Sequence, residues 1–255
     1  MNKTIIGGEF IIPIDDTKIL DLDSKEKSRV FASGRSALAA ILNRISKKIK
    51  QRSVKILIPN YICGSVIRTL EYIDASLLFY DIDEKTLLPR NLYDLIDKAN
   101  AVLLINYFGL IDINSVAIRI RELNQNSIII TDDVMNYYGI GEYSEFDYAF
   151  TSYRKWFPVP DGARVICNRS DEEIKPIEAE NTFYRYKIAG NILKNFRHLV
   201  GDDVCLELIT KGEMILDNEY LFSGSLFSER FLNVIDKEDA AKRRKRNAKV
   251  FYLYG

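Results

Sequence analysis

The sequence is poor in the residues that build several common kinds of functional site. Among 255 residues there are three cysteines and one histidine, His198. The cysteines lie far apart without a Cys-x-x-Cys pair, and their odd number indicates reduced thiols rather than a disulfide framework or a zinc site. A single histidine also gives poor support to a Ser-His-Asp triad. We therefore expect no metal site, and we interpret His198 as a packed or surface residue.

Net charge and long apolar runs are also lacking. The 36 basic and 36 acidic residues cancel, so no global field attracts nucleic acid or an anionic membrane. No segment approaches the roughly 20 apolar residues that span a membrane. The apolar stretch 5–14 is interrupted by Gly7, Gly8 and Glu9, which argues against a signal-peptide core. We expect a cytoplasmic protein whose partners include neither nucleic acid nor membrane.

One charged run, KRRKRNAK at 242–249, departs from this balance. Taken alone, such a run is typical of a nucleic-acid patch. Because the whole chain is neutral, we favour the other interpretation, which is the solvated face of a helix that begins near Glu238.

What the sequence does contain is an alternation of strand-like and helix-like segments. Short runs rich in Ile, Leu and Val have the pattern of strands buried on both faces. Strands are predicted at 54–58, 77–80, 101–105, 127–131, 147–151 and 163–167. Apolar residues at helical spacing predict helices from about 34 to 45 and at 65–71, 91–99 and 115–123. This alternation predicts an α/β fold with a largely parallel sheet, followed beyond Asn168 by a mostly helical segment.

Polar residues that follow the strands are candidates for chemistry, because ligands bind beyond the carboxyl ends of parallel strands. Asp132 and Asp133 directly follow one predicted strand, and Asn106 follows another. Adjacent carboxylates at a strand end are costly unless they serve a cation, such as a metal or a protonated ring nitrogen, although aspartates are also common in turns. Because a strand alternates faces, we expect only one of the two to point into a site.

Two further segments carry open alternatives. Gly34-Arg35-Ser36 opens the first helix, where backbone amides can cradle a phosphate. The alternative is that this segment is only a helix start with Ser33 as its N-cap.

Lys155 follows the strand at 147–151, where a lysine amine becomes useful when it is desolvated or forms a Schiff base. The alternative there is a surface Arg-Lys pair before a turn.

Taken together and in order, these segments resemble the DegT-like sugar aminotransferases, which are fold type I pyridoxal-phosphate enzymes. The resemblance is to a branch found in surface-polysaccharide gene clusters, and it covers about residues 5–168. Its landmarks are IGGEF (6–10), SGRSAL (33–38), IPNYIC (58–63), NYFG (106–109), DVMN (133–136) and RKWFPVPDG (154–162).

The resemblance implies a three-layer sandwich with a mainly parallel seven-stranded sheet, plus C-terminal helices. It divides the chain into an N-terminal arm (1–30), a cofactor-binding large domain (31–235) and a helix (236–255) that would lead into a small, truncated C-terminal domain. The implied enzyme is a homodimer that transfers an amino group, from a donor such as glutamate, to a nucleotide-linked keto-sugar by a ping-pong mechanism in polysaccharide biosynthesis. Two alternatives are a non-catalytic relative that binds the cofactor or dimerises, and a nucleotide-sugar binding protein without cofactor.

The resemblance also implies roles for individual residues. Lys155 would be the Schiff-base lysine, and Asp133 would be the partner of the pyridine nitrogen. A carboxylate near that ring nitrogen is worth about 4 kcal/mol at an effective dielectric of about 20. Asn136 would bond the phenolic oxygen of the ring. The other predicted cofactor-binding residues are Gly34, Arg35, Ser36 and Ser152 at the phosphate, Tyr61 and Cys63 at the ring face, and Asn106.

Overall fold

The computed structural model describes residues 9–12, 30–169, 173–176, 182–218 and 223–254. The elements of the α/β core are α1 (Gly34–Ile49), β1 (Lys55–Pro59), α2 (Gly64–Tyr72), β2 (Ser76–Tyr80), β3 (Ala101–Ile105), α3 (Ile113–Leu123), β4 (Ile128–Asp132), β5 (Tyr148–Phe150) and β6 (Val165–Cys167). They are followed by α4 (Phe183–Leu193), α5 (Arg197–Val200), α6 (Asp202–Asn218), α7 (Leu226–Val234) and α8 (Lys237–Tyr254).

The strands form one sheet in the order β2-β1-β3-β4-β5-β6. Every pairing is parallel except that of β5 with β6, which is antiparallel. The predicted α/β fold with a mainly parallel sheet and C-terminal helices is therefore confirmed. The residues that the structure describes hold six strands, whereas the resemblance implied seven. The strand order reverses between β1 and β3, and open α/β sheets bind ligands at such a reversal.

Helices cover both faces of the sheet, as the three-layer prediction requires. Successive strand residues point to opposite faces. Ile56 of β1 packs in one cluster with Leu38 of α1. The next residue, Leu57, packs in a second cluster with Ile120 of α3. Because both faces are buried, the strands read as continuous apolar runs.

Helix α1 begins where the sequence predicts. Ser33 is its N-cap, and the Ser33 side chain accepts a hydrogen bond from the backbone N–H of Ser36 at 3.2 Å. Leu38, Ile41 and Leu42 form its buried stripe. The cap orients the first turn of α1 at the carboxyl edge of the sheet.

The prediction of a helix at 91–99 is wrong, because the helical structure in this segment is a short 3-10 helix at Ile96–Lys98. Leu92 is buried, as its apolar spacing indicated. The side chain of Asn91, however, accepts a bond from the backbone N–H of Asp81 at 2.7 Å and donates to its carboxylate at 3.1 Å. Side-chain bonds of this kind offer the chain an alternative to helical hydrogen bonding.

The C-terminal helices pack against the segment that follows β5. Phe157 of that segment lies in one apolar cluster with Ile188 of α4 and Phe227 of α7. The backbone N–H and the hydroxyl of Ser225, the N-cap of α7, both donate to Asp161, at 3.1 and 3.0 Å. The Pro-Asp-Gly turn is thereby tied to α7.

The helix predicted near Glu238 is confirmed as α8, which begins at Lys237. Arg244 of the basic run donates to the carbonyl of Trp156 at 3.0 Å and lies 4.6 Å from the centroid of its ring. The exposed basic residues of the run are Lys242, Arg243, Lys245, Arg246 and Lys249. No helix in the described ranges combines the length and apolar character needed to span a bilayer.

The three cysteines are free, and His198 is exposed. Cys205 is buried, whereas Cys63 is exposed at the start of α2. The reduced thiols and the surface histidine agree with the expectations from the sequence.

Candidate functional site

Three segments that the sequence singled out separately lie side by side at the carboxyl edge of the sheet. A methyl group on Gly34, at the start of α1, would lie 3.4 Å from Cγ2 of Val134, which follows β4. The indole N–H of Trp156 donates to the carbonyl of Val134 at 2.8 Å. The start of α1, the end of β4 and the turn that carries Lys155 therefore form one candidate site.

Asp133 is fully buried and accepts hydrogen bonds from four neutral side chains. Its Oδ1 accepts from the hydroxyl of Tyr143 at 2.7 Å and from the amide of Asn106 at 3.4 Å. The amide of Asn136 is a longer donor to the same oxygen at 3.5 Å. Its Oδ2 accepts from the hydroxyl of Thr131 at 3.2 Å. A carboxylate offers about four acceptor positions, so Oδ2 keeps capacity for another donor.

The charge of Asp133 has no cationic partner in the described part of the chain, whose ion pairs do not include this residue. Burial raises the pKa of Asp133, and the hydrogen bond from Tyr143 is the strongest of those that oppose this rise. Neutral donors reduce the cost of a buried carboxylate without removing it. A cation bound beside Asp133 would stabilise the charged form.

Asp132 has a different environment from its neighbour. Burial raises the pKa of Asp132 to about 7, a bond from the backbone N–H of Val134 opposes the rise, and the charge of Asp133 adds to it. That bond, at 2.9 Å, involves Oδ1. Burial, reinforced by the charge of Asp132, raises the pKa of Tyr107. Asp132 therefore lies on the side of Tyr107, while Asp133 meets the polar side chains described above.

Tyr143 is a residue of this site that the sequence did not reveal. Its hydroxyl donates to Asp133 and lies 2.6 Å from the amide nitrogen of Asn106 and 3.0 Å from that of Asn136. The residue lies in the loop between β4 and β5, outside any recognisable motif. Only the folded loop brings this hydroxyl to the three side chains.

Asn106 and Asn136 occupy the positions next to Asp133 that the sequence suggested. The Oδ1 atom of Asn106 is buried and has no hydrogen-bond partner. The amide of Asn136 is shared between Asp133 and Tyr143. The unpaired Asn106 oxygen is an acceptor available to a bound donor.

Lys155 is exposed and ends the 3-10 helix Tyr153–Lys155, and its N–H donates to the carbonyl of Ser152 at 3.3 Å. Hydrogen bonds with Ser65, and less strongly the charges of Lys155 and Arg68, lower the pKa of the Cys63 thiol. The Lys155 amine is thus near enough to act electrostatically on Cys63.

Tyr61 and Tyr107 lie where the strand order reverses. Their rings stack with centroids 5.5 Å apart and an interplanar angle of 27°. Tyr61 is 58% exposed, so one face of its ring is open to a ligand. The predicted ring-face residues Tyr61 and Cys63 therefore border the candidate site on the β1 side.

The side chains of Arg35 and Ser36 have protein partners. Ser36 is fully buried, and its hydroxyl lies 3.2 Å from that of Ser33. The guanidinium of Arg35 donates to Glu213 of α6 at 3.1 Å and also pairs with Asp217. The backbone N–H groups of Ser36 and Ala37 are also bonded, to Ser33. A phosphate at this helix start would therefore chiefly contact backbone amides that precede Ser36.

Metal ligation has no support among the residues described, since they contain no group of three or more His, Cys, Asp or Glu side chains arranged to hold an ion. The polar groups of the candidate site are instead one buried carboxylate, four amide or hydroxyl groups bonded to it, and one exposed amine.

No protein-family model matches the chain, and no curated protein matches it. Solved structures of similar fold include a NIFS-like protein, 18% identical, with a TM-score of 0.48 over 77% of this chain and 57% of the other. A DegT DnrJ EryC1 StrS aminotransferase from Brucella abortus is 16% identical, with a TM-score of 0.43 over 64% of this chain and 48% of the other.

A sphingosine-1-phosphate lyase from Burkholderia pseudomallei is also similar, at 14% identity and a TM-score of 0.45 over 61% of this chain and 43% of the other. The chain thus spans about half the length of these proteins.

Proposed function

We propose that the chain binds pyridoxal 5'-phosphate through Lys155 and acts as an aminotransferase. The observation that carries the proposal is the state of Asp133. This carboxylate is fully buried at the carboxyl end of a parallel strand, accepts bonds from neutral groups alone within the described ranges, and keeps an acceptor position on Oδ2. A protonated ring nitrogen would provide the missing positive charge.

The other residues of the site fit the same group. The unpaired Asn106 oxygen and the open face of Tyr61 are suited to a flat, polar ring. The first turn of α1 offers backbone amides for a phosphate, and Gly34 leaves room beside Val134. Lys155 is exposed, and its charge acts on Cys63, which lies at the start of α2.

When bound, pyridoxal phosphate would supply an aldehyde carbon that carries the amino group from one substrate to another and a ring that withdraws electrons. The residues of this chain would bind the cofactor and orient it. Asp133 would hold the proton on the ring nitrogen, because its attraction for that proton is worth about 4 kcal/mol at an effective dielectric of about 20. The Lys155 amine would hold the cofactor between reactions and move a proton at the substrate α carbon.

We infer a nucleotide-linked keto-sugar as acceptor and glutamate as donor from the family resemblance of the motifs, with a role in polysaccharide biosynthesis. The proposed assembly is a cytoplasmic homodimer. Exposed apolar side chains at the carboxyl edge of the sheet favour this proposal, because the surface of a second subunit could cover them. They are Tyr61, Phe108, Leu110 and Met135.

An absorbance titration with pyridoxal phosphate tests cofactor binding. We expect an absorption band near the edge of the visible range, and borohydride reduction followed by peptide mass analysis should locate the added mass on Lys155. Lys155→Arg should abolish both signals. Lys98→Arg is the matched control, because Lys98 is also exposed and ends a 3-10 helix, but it precedes β3 at the other edge of the sheet. Absence of a band in the wild-type protein would reject the proposal.

A second measurement separates catalysis from binding. Glutamate added to the loaded protein should change the spectrum and release an equal amount of the 2-keto acid. A nucleotide-linked keto-sugar should then restore the first spectrum. A loaded protein that never converts would overturn the aminotransferase assignment in favour of a non-catalytic cofactor-binding module.

A further inference from the structure

A buried cluster of charged side chains lies between α1, α4 and α6, behind the candidate site. We call it the Glu213 cluster. It consists of Glu9, Arg35, Arg154, Lys187, Glu213 and Asp217. Three cations face three carboxylates, so the cluster is formally neutral.

Glu213 is the residue that the three cations share. Its Oε2 accepts from Nη2 of Arg35 at 3.1 Å. Its Oε1 pairs with both Arg154 and Lys187. Glu9 contacts two of these three basic residues, at 3.5 Å from Nη1 of Arg154 and 2.6 Å from Nζ of Lys187.

The cluster is partly buried, which distinguishes it from an ordinary surface ion pair. The Lys187 side chain has no exposed surface and that of Arg35 is 9% exposed, whereas the side chains of Glu213 and Asp217 are 29% and 39% exposed. Burial raises the pKa of Glu213, but the charges of Arg154, Lys187 and Arg35 outweigh it and lower that pKa to about 2. Glu213 is therefore ionised at neutral pH. Removing one member of such a cluster leaves a buried charge uncompensated.

The two arginines of the cluster belong to the two segments that the proposed function needs. Arg35 lies in the first turn of α1, beside Gly34, where the phosphate is proposed to bind. Arg154 directly precedes Lys155 in its 3-10 helix. A single carboxylate on α6 thus bonds to both segments. Three backbone bonds also join the chain before α1 to the chain after the Lys155 turn: Gly162 N–H to the carbonyl of Ala32 at 2.9 Å, and Phe31 and Ala163 to each other at 2.8 and 3.0 Å.

We propose that Glu213 is a positioning residue that holds the phosphate-binding start of α1 and the Lys155 turn at a fixed separation through Arg35 and Arg154. The inference rests on the proposed function and adds a residue to it from a helix outside the motif segments. The affinity of a ligand that contacts both segments should depend on their separation. The reaction of Lys155 with a ligand that lacks a phosphate should not.

Two probes distinguish these cases. Pyridoxal 5'-phosphate would contact both segments, whereas pyridoxal keeps the ring and the aldehyde but lacks the phosphate, so its reaction with Lys155 does not depend on the start of α1. In Glu213→Gln we expect the dissociation constant of pyridoxal phosphate, from absorbance titration, to rise at least about tenfold, since small displacements of positioned groups carry large costs. The fraction of Lys155 labelled by pyridoxal and borohydride should stay within about threefold of wild type, because this reaction needs no second segment.

Two further variants serve as controls. Glu213→Asp keeps the charge and should recover part of the lost affinity. Asp147→Asn removes another buried carboxylate, which pairs with Arg121 at 2.7 Å at the start of β5, and should leave the affinity unchanged. If Glu213→Gln does not fold, Arg154→Lys tests the same link, because lysine keeps the charge but loses the forked geometry.

The outcomes are distinct. Wild-type protein without a cofactor band would reject the proposed function itself. A wild-type band with unchanged affinity in Glu213→Gln would reject only the positioning role. Equal loss with pyridoxal phosphate and with pyridoxal would also reject it, since it would indicate general damage rather than a changed separation.

Discussion

Asp132 and Asp133 are adjacent carboxylates that accept different numbers of hydrogen bonds. This difference predicts how the free energy of unfolding depends on pH. Asp133 accepts bonds from four side chains, whereas the bond that the Asp132 carboxylate accepts within the described part of the chain comes from the backbone N–H of Val134. Burial raises the pKa of Asp132 from 3.8 to about 7 in the folded protein. The folded state therefore retains a proton that the unfolded chain releases in this range.

The sign and size of the effect follow from this shift. A raised carboxyl pKa contributes stability that is fully present below the unfolded value of 3.8 and is lost as the pH rises to about 7. Each pKa unit corresponds to about 1.4 kcal/mol, so the wild-type protein should lose about 4 kcal/mol through Asp132 across this window. Asp132→Asn has no such titration, and its amide oxygen can still accept from Val134.

The assay is urea unfolding of wild type and Asp132→Asn at a series of pH values. The variant should gain little at about pH 4 and about 4 kcal/mol at about pH 8 relative to wild type. Other titrating groups, such as Asp161, whose pKa is raised to about 6 chiefly by burial, largely cancel in this difference. A stability difference that varies by less than about 1 kcal/mol over the whole range would refute the reasoning.

The same pair of residues gives a functional comparison. Asp133→Asn should weaken pyridoxal phosphate binding by at least about tenfold, because it removes the charge proposed to face the ring nitrogen. Asp132→Asn should leave the dissociation constant within about threefold of wild type, as expected for a residue that does not touch the ligand. If Asp132→Asn weakened binding and Asp133→Asn did not, the ring nitrogen would lie beside Asp132 and the proposed role of Asp133 would be wrong.

Three other substitutions test separate features. Tyr143→Phe should destabilise the protein by about 1–3 kcal/mol in urea unfolding, because Asp133 loses its shortest bond and buried amides lose an acceptor. Gly34→Ala should leave stability nearly unchanged, since the added methyl makes only an ordinary contact at 3.4 Å, yet reduce pyridoxal phosphate affinity about tenfold by blocking the phosphate. Gly162→Ala should cost about 1–3 kcal/mol, because Gly162 has a φ of 109° and a Cβ there would lie 3.0 Å from Tyr153; an unchanged melting temperature would contradict this.

Much of the fold follows from the spacing of apolar residues. The six predicted strands are all present, because a strand covered on both faces needs a continuous apolar run such as 101–105. Helix α1 was predictable from its stripe and from Ser33, since an N-cap is a local interaction. The segment 91–99 was not, because the bonds of Asn91 to Asp81 compete with the helix and join residues from different parts of the chain.

The candidate site divides in the same way. The sequence by itself determined that Gly34, Asp133 and Lys155 each follow or begin an element at the carboxyl edge of the sheet, because parallel strands bring their carboxyl ends to one edge. Tertiary structure alone decided that Tyr143 bonds to Asp133, that Arg35 turns to α6, and that Glu213 binds three cations at once. These contacts depend on how loops and helices far apart in the chain pack together, and no local spacing of residues records that packing.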